Sequence, residues 1–576
     1  METFDLSTAT GASKSASRPR LKSSEQWIWL NAAAIGASLC ALFGMLLLLF
    51  VKGSAHFWPA DIAQIDYTNT FGESRLLYGR IIEVESVPIE QFLESGRSLQ
   101  GAAGESATVE RWLVKSGSRR LNPPDFRWVF SAQVNGTSYP KDLTVFQRME
   151  WGDLYGMPLA LSAPNEPEKV FPRTSSDSPA LLMEKLQRRL EQVRETRRQI
   201  ASLESGEVRR ISVQLEEARS QLRFLNQTAD SIPNNQLLTQ RVQVLEVSIK
   251  KVSMQLRKLY ENLDRGSVYV QLAQGSVAEI KLAELYSARQ PNQMSTLSKA
   301  SNFIANIGSF LTENPREANT EGGVFPAIFG TVLMVLLMSV MVAPLGVITA
   351  IYLHEYAKPG VLVSVIRIAI NNLAGVPSIV FGVFGLGFFV YFLGGNIDQL
   401  FFPEKLPSPT FGTPGLLWAS LTLALLTLPV VIVSTEEGLT RVPRSMREGG
   451  LALGATKAET LFSIVLPAVR PAILTGVILA IARAAGEVAP LMLVGVVKLA
   501  PALAVDSIFP YLHLDRKFMH LGFHIYDVGF QSPNIEAARP LVYATSLVLV
   551  GLIVGLNLAA ITLRNRLEHL YKDVET

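Results

Sequence analysis

A single cysteine, Cys40, and not one Gly-Lys dipeptide occur in these 576 residues. The first excludes an intrachain disulfide and leaves the redox compartment unread. The second excludes a Walker A loop, which needs Gly-Lys to cradle phosphates. Any ATP that drives this protein is therefore bound by another chain. Charge is scarce as well: Asp, Glu, Lys and Arg make up 18% of the residues, and the formal net charge of +3 points to no nucleic-acid partner. The sequence holds no catalytic triad, no metal-ligand cluster and no phosphate-cradling glycine loop, so no catalytic residue, metal or cofactor is expected and the chain does not read as an enzyme by itself. What it has in quantity is apolar sequence, 48% hydrophobic residues with a mean hydropathy of +0.24.

The apolar residues fall in runs long enough to cross a bilayer, for which about 20 residues suffice. Met1 to Ser24 is polar, with four basic residues between Lys14 and Lys22, and reads as a disordered cytoplasmic tail (residues 1–26). Trp27 to Val51 is the first span. It is longer than a signal-peptide core and reads as a retained anchor, cleavage near Ala55 being the alternative. Five further runs follow: Phe325–Leu353, Leu362–Leu393, Leu416–Val433, Ala472–Val497 and Leu541–Leu563. Six spans return the C-terminal tail (residues 564–576) to the side of the N-terminus. Lys358, Arg367, Arg441, Arg444, Arg447, Lys457, Arg470, Arg564 and Arg566 flank turns on that same side, which the positive-inside rule makes cytoplasmic.

Between the first two spans lies a large polar insert. Residues 53–178 read as β-rich, from partial alternation in Leu76–Glu85 and Trp128–Val134 and a hairpin signal at Asn135-Gly136. From Pro179 the period becomes helical: Leu182, Leu186, Leu190, Val193, then Ile211, Leu215, Ala218, Leu222 and Leu225. After Pro233-Asn234-Asn235 a heptad runs through Leu238, Val242, Leu245, Ile249, Val252, Leu256, Leu259 and Leu263. Residues 179–265 are thus predicted to form an antiparallel coiled-coil hairpin. Strands resume at Ser267–Leu272 and Val277–Leu282, within a second β-rich part and linker over residues 266–323. The hairpin reads equally as a docking arm for a partner outside the membrane, or as a structural spacer or a seam joining two copies.

The stretch Glu436–Ala489 carries the most information. A polar loop leads into a helix, Arg444–Leu453, broken at Gly454 and restarted at Ala455, and Leu466-Pro467 is expected to stop it, because proline lacks the amide proton and clashes with the preceding turn. Arg447 and Glu448 could be a solvated face, but apolar Leu451, Leu453, Leu461 and Phe462 beside them predict an exposed ridge, a liability unless a partner covers it.

Glu448-Gly449-Gly450, three residues, Gly454-Ala455 and then Ile464-Val465-Leu466-Pro467 resemble the coupling loop of ABC importer permeases, the MetI-like family. Gly375-Val376-Pro377-Ser378-Ile379-Val380-Phe381-Gly382 and Arg483 through Gly486-Glu487 to Pro490 are similar to the A-type membrane subunits of phosphate import systems. The resemblance covers Val324 to the C-terminus and departs from the family at Gly449-Gly450, where two alanines are usual; two glycines loosen a helix by about 1 kcal/mol each. It implies a mainly α, six-helix permease, here with an extra periplasmic β-rich domain, in the inner membrane. It also implies a homologous second permease subunit, two ATP-binding subunits and a periplasmic phosphate-binding protein as partners, beside membrane lipid. Arg447, Glu448, Gly454, Ala455, Leu461, Leu466 and Pro467 would couple to the ATPase, within a loop at residues 436–470 of a permease core at 324–563.

Arg483 and Glu487 are four apart in an apolar run and are expected to share a helix face. Ionised groups at bilayer depth face a cavity or a partner. Arg483 would offer a cation to a passing oxyanion while Glu487 positions or gates it; alternatively the pair only locks packing. Asn371, Asn372 and Ser378 flank the Gly375-Val376-Pro377 break and are pathway candidates or packing glue. His354-Glu355 at a span end reads as an interfacial anchor.

Overall fold

The computed structural model describes residues 23–69, 72–88, 108–117, 124–163, 166–171, 178–228, 232–264, 266–532 and 535–575. Up to Lys22, the expected polar tail lies outside them. The chain is mainly helical, with six helices among the described residues long and apolar enough to span a membrane: Trp27–Ala55, Phe325–Tyr356, Ser378–Phe401, Leu416–Arg441, Lys457–Gly486 and Ala538–Arg566.

The first span is α1 (Ser23–Ala55). Two antiparallel sheets follow it. Strands β1 (Ala63–Thr68), β2 (Ser74–Pro88), β3 (Thr108–Lys115), β4 (Phe126–Phe130) and β5 (Val134–Ser138) pair in the order β4-β3-β2-β1-β5. Asn135-Gly136 is not a hairpin turn. It lies inside β5, where Gly136 pairs with Asp66 at a register shift and the Asn135 side chain bonds Thr68. The turn signal loses here to a sheet edge that β5 fills. The second sheet is built from β6 (Thr144–Arg148), β7 (Asp153–Ala163), β8 (Glu166–Phe171), β9 (Ser267–Gln271), β10 (Val277–Lys281) and β11 (Leu285–Arg289). Its order is β10-β9-β7-β6-β11, with β8 against β7, so strands from both sides of the helical insert share one sheet. The β9–β10 hairpin is the one the sequence predicts, with Gly275 at φ +79 supplying the left-handed turn position.

Helix α2 (Pro179–Leu203), capped by Ser178, does not extend freely as half of a hairpin. Its Leu182, Leu186, Leu190 and Val193 are buried against Phe146, Leu154, Val268, Val270 and Ile280 of the second sheet. Each such leucine withdrawn from water contributes about 1.5–3 kcal/mol, so α2 is the core helix of the β domain. The helices that leave the β domain are α3 (Arg209–Thr228), joined to α2 through a π-helical turn at 204–208, and α4 (Ile232–Leu263). Arg219–Glu246 at 2.7 Å and Tyr260–Glu204 at 2.7 Å pair low numbers with high ones, which makes the register antiparallel. All eight predicted heptad positions of α4 are at least half-buried, and almost every residue between them is exposed.

Helix α5 (Thr296–Thr312) and a two-residue ladder lead into α6 (Phe325–Ile351), the second span. The expected span Leu362–Leu393 is in fact two helices: α7 (Val361–Leu373), short and with no buried residue, and α8 (Ser378–Phe384), which continues through a π-helical stretch into α9 (Gly395–Phe401). Gly375 and Pro377 interrupt helical hydrogen bonding between them. The centre of the membrane part is α10 (Leu416–Arg441), whose Ala419, Leu423, Ala424 and Val431 are buried against Met334, Met338 and Val342 of α6 and Ala480, Ala484 and Ala485 of α13 (Leu466–Gly486). Small residues permit this approach: a Cβ on Gly346 would meet Val431 Cγ1 at 2.6 Å, and one on Gly476 would meet Ser434 Cβ at 2.8 Å. The short helices α11 (Arg444–Ala452) and α12 (Lys457–Thr460) precede α13; α14 (Leu491–Val494) and α15 (Leu521–Phe530) follow it, and α16 (Ile535–Glu575) ends the chain.

Two boundaries of the fifth span differ from the sequence reading. Leu466-Pro467 does not stop a helix, because a π-helical turn at 461–465 absorbs the proline and the helix runs unbroken from Lys457 to Gly486. At the other end the helix stops at Gly486 instead of reaching Val497, since Pro490 disfavours helix in the residues just before it.

A Cβ on Gly330 of α6 would meet the backbone carbonyl of Met519 at 2.1 Å, whereas one on Gly387 would meet nothing within 4 Å. Gly330→Ala is expected to cost roughly 1–3 kcal/mol by overpacking and to lower the melting temperature of the detergent-solubilised chain, with Gly387→Ala neutral or slightly stabilising. Equal melting temperatures for the two variants would contradict this packing.

Candidate functional site

The fourth span ends at Arg441, and Pro443 opens α11 at once. Its C-terminus is closed by Gly454 at φ +89, with Leu453 N–H donating to Gly449 O and Gly454 N–H to Leu451 O. A left-handed C′ glycine of this kind ends the helix cleanly. Thr456 then caps α12 reciprocally with Glu459, the Thr456 amide donating to Glu459 Oε2 at 2.7 Å. The hairpin folds onto Leu439, Val442, Leu461, Val465 and Val469. Gly450 is buried in it, and a Cβ there would meet Ile464 Cδ1 at 2.8 Å and Thr460 Cγ2 at 3.0 Å. The second glycine of the unusual Gly449-Gly450 pair is thus a close-packing position, and the first faces open space.

Among the expected ridge residues, Leu453 is 91% exposed, Phe462 65% and Leu451 49%, but Leu461 is only 5% exposed. Leu461 therefore leaves the ridge and belongs to the hairpin's own core. Glu448 is exposed; Ala455, Leu466 and Pro467 are half-buried.

Glu355, at the end of the second span, holds this hairpin. Its Oε1 lies 3.1 Å from Arg447 Nη2 and 3.1 Å from His354 Nδ1, and Lys457 Nζ donates to its backbone carbonyl. Arg447 also donates to Leu439 O at 2.6 Å, and the Lys457 ammonium sits 4.7 Å from the centre of the Tyr356 ring. One carboxylate thereby ties α11, and its own backbone ties α12, to α6. Arg367 of α7 lies 3.5 Å from Glu436 and so ties α7 to α10. Glu355 is therefore more than the interfacial anchor that His354-Glu355 suggests in the sequence. The available signal was an acidic residue at an apolar span end opposite a basic loop.

Arg483 stands in the last turn of α13 and Glu487 just beyond it, in extended conformation, with Nε and Oε1 3.7 Å apart. They pair as expected, but not on one helix: Glu487 terminates α13. Both are partly accessible, 35% and 23% by side chain. Thirteen residues separate Arg483 from Arg470, about 20 Å along the helix at 1.5 Å per residue. Asn371 and Asn372 stand exposed at the end of α7, and Ser378 is half-buried at the start of α8. One turn on, a Cβ on Gly382 would lie 2.7 Å from Pro490 Cα, so α8 packs against the segment that follows Glu487.

A second charged group went unread. Lys498 Nζ lies 3.1 Å from Asp527 Oδ2, and Asp527 is 1% exposed beside buried His520 and His524. His520, His524 and Asp527 come at helical spacing in a stretch of low charge, the same signal that marks Arg483 and Glu487. The two groups adjoin, since a Cβ on Gly522 would meet Val488 Cγ2 at 2.5 Å.

This geometry, a close-packed span bundle with a loop hairpin clamped to its end, is joined by the sequence comparisons. Residues 342–569 match the family described as binding-protein-dependent transport system inner membrane component. That stretch is similar to this family and takes in four of the six apolar helices. The chain is 42% identical over 175 residues to a phosphate transport system permease protein PstA of Mycobacterium leprae, covering 30% of this chain and 52% of the relative. It is 29% identical over 256 residues to the probable ABC transporter permease protein YqgI of Bacillus subtilis, covering 44% of this chain and 81% of the relative. The chain spans about half the length of the mycobacterial relatives it matches. It also aligns with the MetNI methionine ABC transporter in an inward-facing conformation, at 16% identity and a TM-score of 0.30 over 42% of this chain and 94% of that one. The six apolar helices together with the match to an inner membrane component indicate a multi-pass inner-membrane protein.

If Glu355 positions the α11–α12 hairpin, Glu355→Gln removes one charge-assisted contact, and hydrogen exchange of the amides of residues 445–460 is expected to quicken roughly tenfold. Unchanged exchange there would contradict the clamp.

Proposed function

We propose that this chain is the transmembrane subunit of an ATP-binding-cassette importer that moves inorganic phosphate into the cytoplasm by alternating access. The single observation that carries the reading is the coupling hairpin: a rigid, capped and clamped element on a membrane bundle whose Leu453 is 91% exposed. A side chain that apolar, presented that fully, fits a cleft on a partner. The partners would be a homologous second permease subunit and two ATP-binding subunits on the cytoplasmic side, and a phosphate-binding protein on the periplasmic side. Arg447, Glu448, Gly454, Ala455, Leu466 and Pro467 carry the coupling, with Leu461 setting the hairpin's shape. ATP hydrolysis is the partners' chemistry.

In this reading both termini and residues 436–470 are cytoplasmic, in keeping with the basic residues around them. Residues 53–323 form a periplasmic domain, and α3 with α4 is an antiparallel coiled coil that it carries. Arg483 offers its guanidinium to the oxyanion and Glu487 sets its direction, while Asn371, Asn372 and Ser378 line the route. Phosphate is favoured over sulfate, molybdate or phosphonate by the relatives' names; the Arg483 guanidinium by itself does not tell tetrahedral oxyanions apart. A membrane-anchored scaffold that works through its coiled coil is the rival from another class. It predicts that deleting residues 179–263 abolishes function while Arg483 can be replaced freely.

Arg483→Gln is expected to cut cellular phosphate uptake roughly tenfold or more, the scale of one lost charge-assisted contact, with the protein inserted and assembled normally. Unchanged uptake would reduce the Arg483–Glu487 pair to packing. Leu453→Glu is expected to leave insertion intact and weaken co-purification with the ATP-binding subunit about tenfold; undiminished co-purification would remove the ridge from the interface.

A further inference from the structure

The domain between the first two spans contains a cavity of about 1010 Å³ between α2, β11 and α5, and its lining carries five arginines against one carboxylate. Four of them, Arg194, Arg197, Arg289 and Arg316, come from three separate stretches of chain, so only the fold brings them together. The one carboxylate, Glu313, already accepts the Tyr286 hydroxyl at 2.5 Å. The Arg316 guanidinium carbon lies over the Tyr286 ring, 3.5 Å from its centroid, a cation–π contact that leaves its charge unneutralised. Arg289 donates to Asn306 Oδ1 at 2.7 Å, and Arg197 to the carbonyl of Ala283, both uncharged acceptors. Nε of Arg194 and Nε and Nη1 of Arg316 are buried with no hydrogen-bond partner in the protein.

Holding like charges together inside a protein is costly unless something answers them. Burial, then repulsion from Arg316 and Arg194, holds Arg197 below the ordinary arginine value. Arg289 is lowered by burial first, with Arg194 and Arg316 adding to it against the raising effects of Tyr286 and Glu313. A helix, a strand and a loop converge on this excess of positive charge, and the rest of the lining is largely Ser, Asn and Gln. Planar guanidinium forks are the side chains best matched to phosphate-class oxyanions.

We infer that this cavity is a binding site for a phosphate-bearing anion, separate from any transport route through the spans, with Arg194, Arg197, Arg289 and Arg316 as its cationic wall. Its volume admits more than one orthophosphate, so pyrophosphate or an organic phosphate fits the same chemistry. The headgroup of an anionic lipid offers that chemistry too. The site stands on the extramembrane domain alone and holds whether or not the chain carries phosphate.

The test uses the full chain in phosphatidylcholine nanodiscs, titrated calorimetrically with inorganic phosphate and with pyrophosphate. Saturable binding is expected in the wild type. It should weaken roughly tenfold or more in Arg194→Gln, weaken likewise in Ser298→Trp, which fills the cavity without removing a charge, and persist in Arg483→Gln. Melting temperatures of the variants check that each is folded. Retention of phosphatidylglycerol through delipidating washes, lost in Arg194→Gln, would assign the same site to a lipid phosphate. Binding lost only in Arg483→Gln, binding kept in both Arg194→Gln and Ser298→Trp, or neither anion nor lipid bound by the folded wild type would overturn the inference.

Discussion

The membrane half of this protein depends on how closely α10 is gripped by its two neighbours. Gly346 of α6 and Gly476 of α13 let their backbones approach α10 to distances that a side chain would forbid, and Gly438 of α10 does the same against Val469 and Ala472. In lipid there is little hydrophobic force between helices, so such close packing carries much of the association. The consequences run in both directions along α13. At one end the helix is registered against α10 so that the loop hairpin folds onto Leu439 and Val442. At the other, Arg483 and Glu487 are held where α13 stops. The helix Lys457–Gly486 thus runs continuously from the hairpin to the charged pair.

Much of this was legible in the sequence, for reasons that particular residues make plain. The six spans follow from apolar length, and the hairpin break follows from Gly454, whose φ of +89 is a conformation that favours glycine. The α4 heptad is likewise written in period alone. Long-range decisions were not legible. Asn135-Gly136 carries a strong local turn signal, yet β5 pairs with β1, some 70 residues earlier in the chain. Pro467 reads as a stop because a π-helical turn that accommodates it leaves no mark in composition. The apolar run past Gly375 looks like one span until its backbone breaks. Leu461 belongs to the right motif but faces inward, and Glu355 became visible only when the loop's cations closed on it.

The extramembrane domain is not a bystander to the bundle. The arm touches two separate connections of the membrane part: Arg209 lies 3.8 Å from Asp506, which Arg516 and His513 also hold, and the Ser220 hydroxyl donates to the Glu404 carbonyl. The arm thus rests on both connecting segments, 402–409 and 499–520, although surface ion pairs of this kind contribute little individually.

In the proposed function, ATP hydrolysed on partner subunits drives phosphate through this chain. The direct measurement is ATP-dependent accumulation of radiolabelled phosphate in liposomes containing the complex co-purified through this subunit, with unlabelled sulfate and molybdate as competitors. The account predicts accumulation that requires ATP inside the loop-facing compartment, is blocked by unlabelled phosphate and is indifferent to the other two anions. Accumulation without ATP, or of sulfate in preference to phosphate, would contradict it.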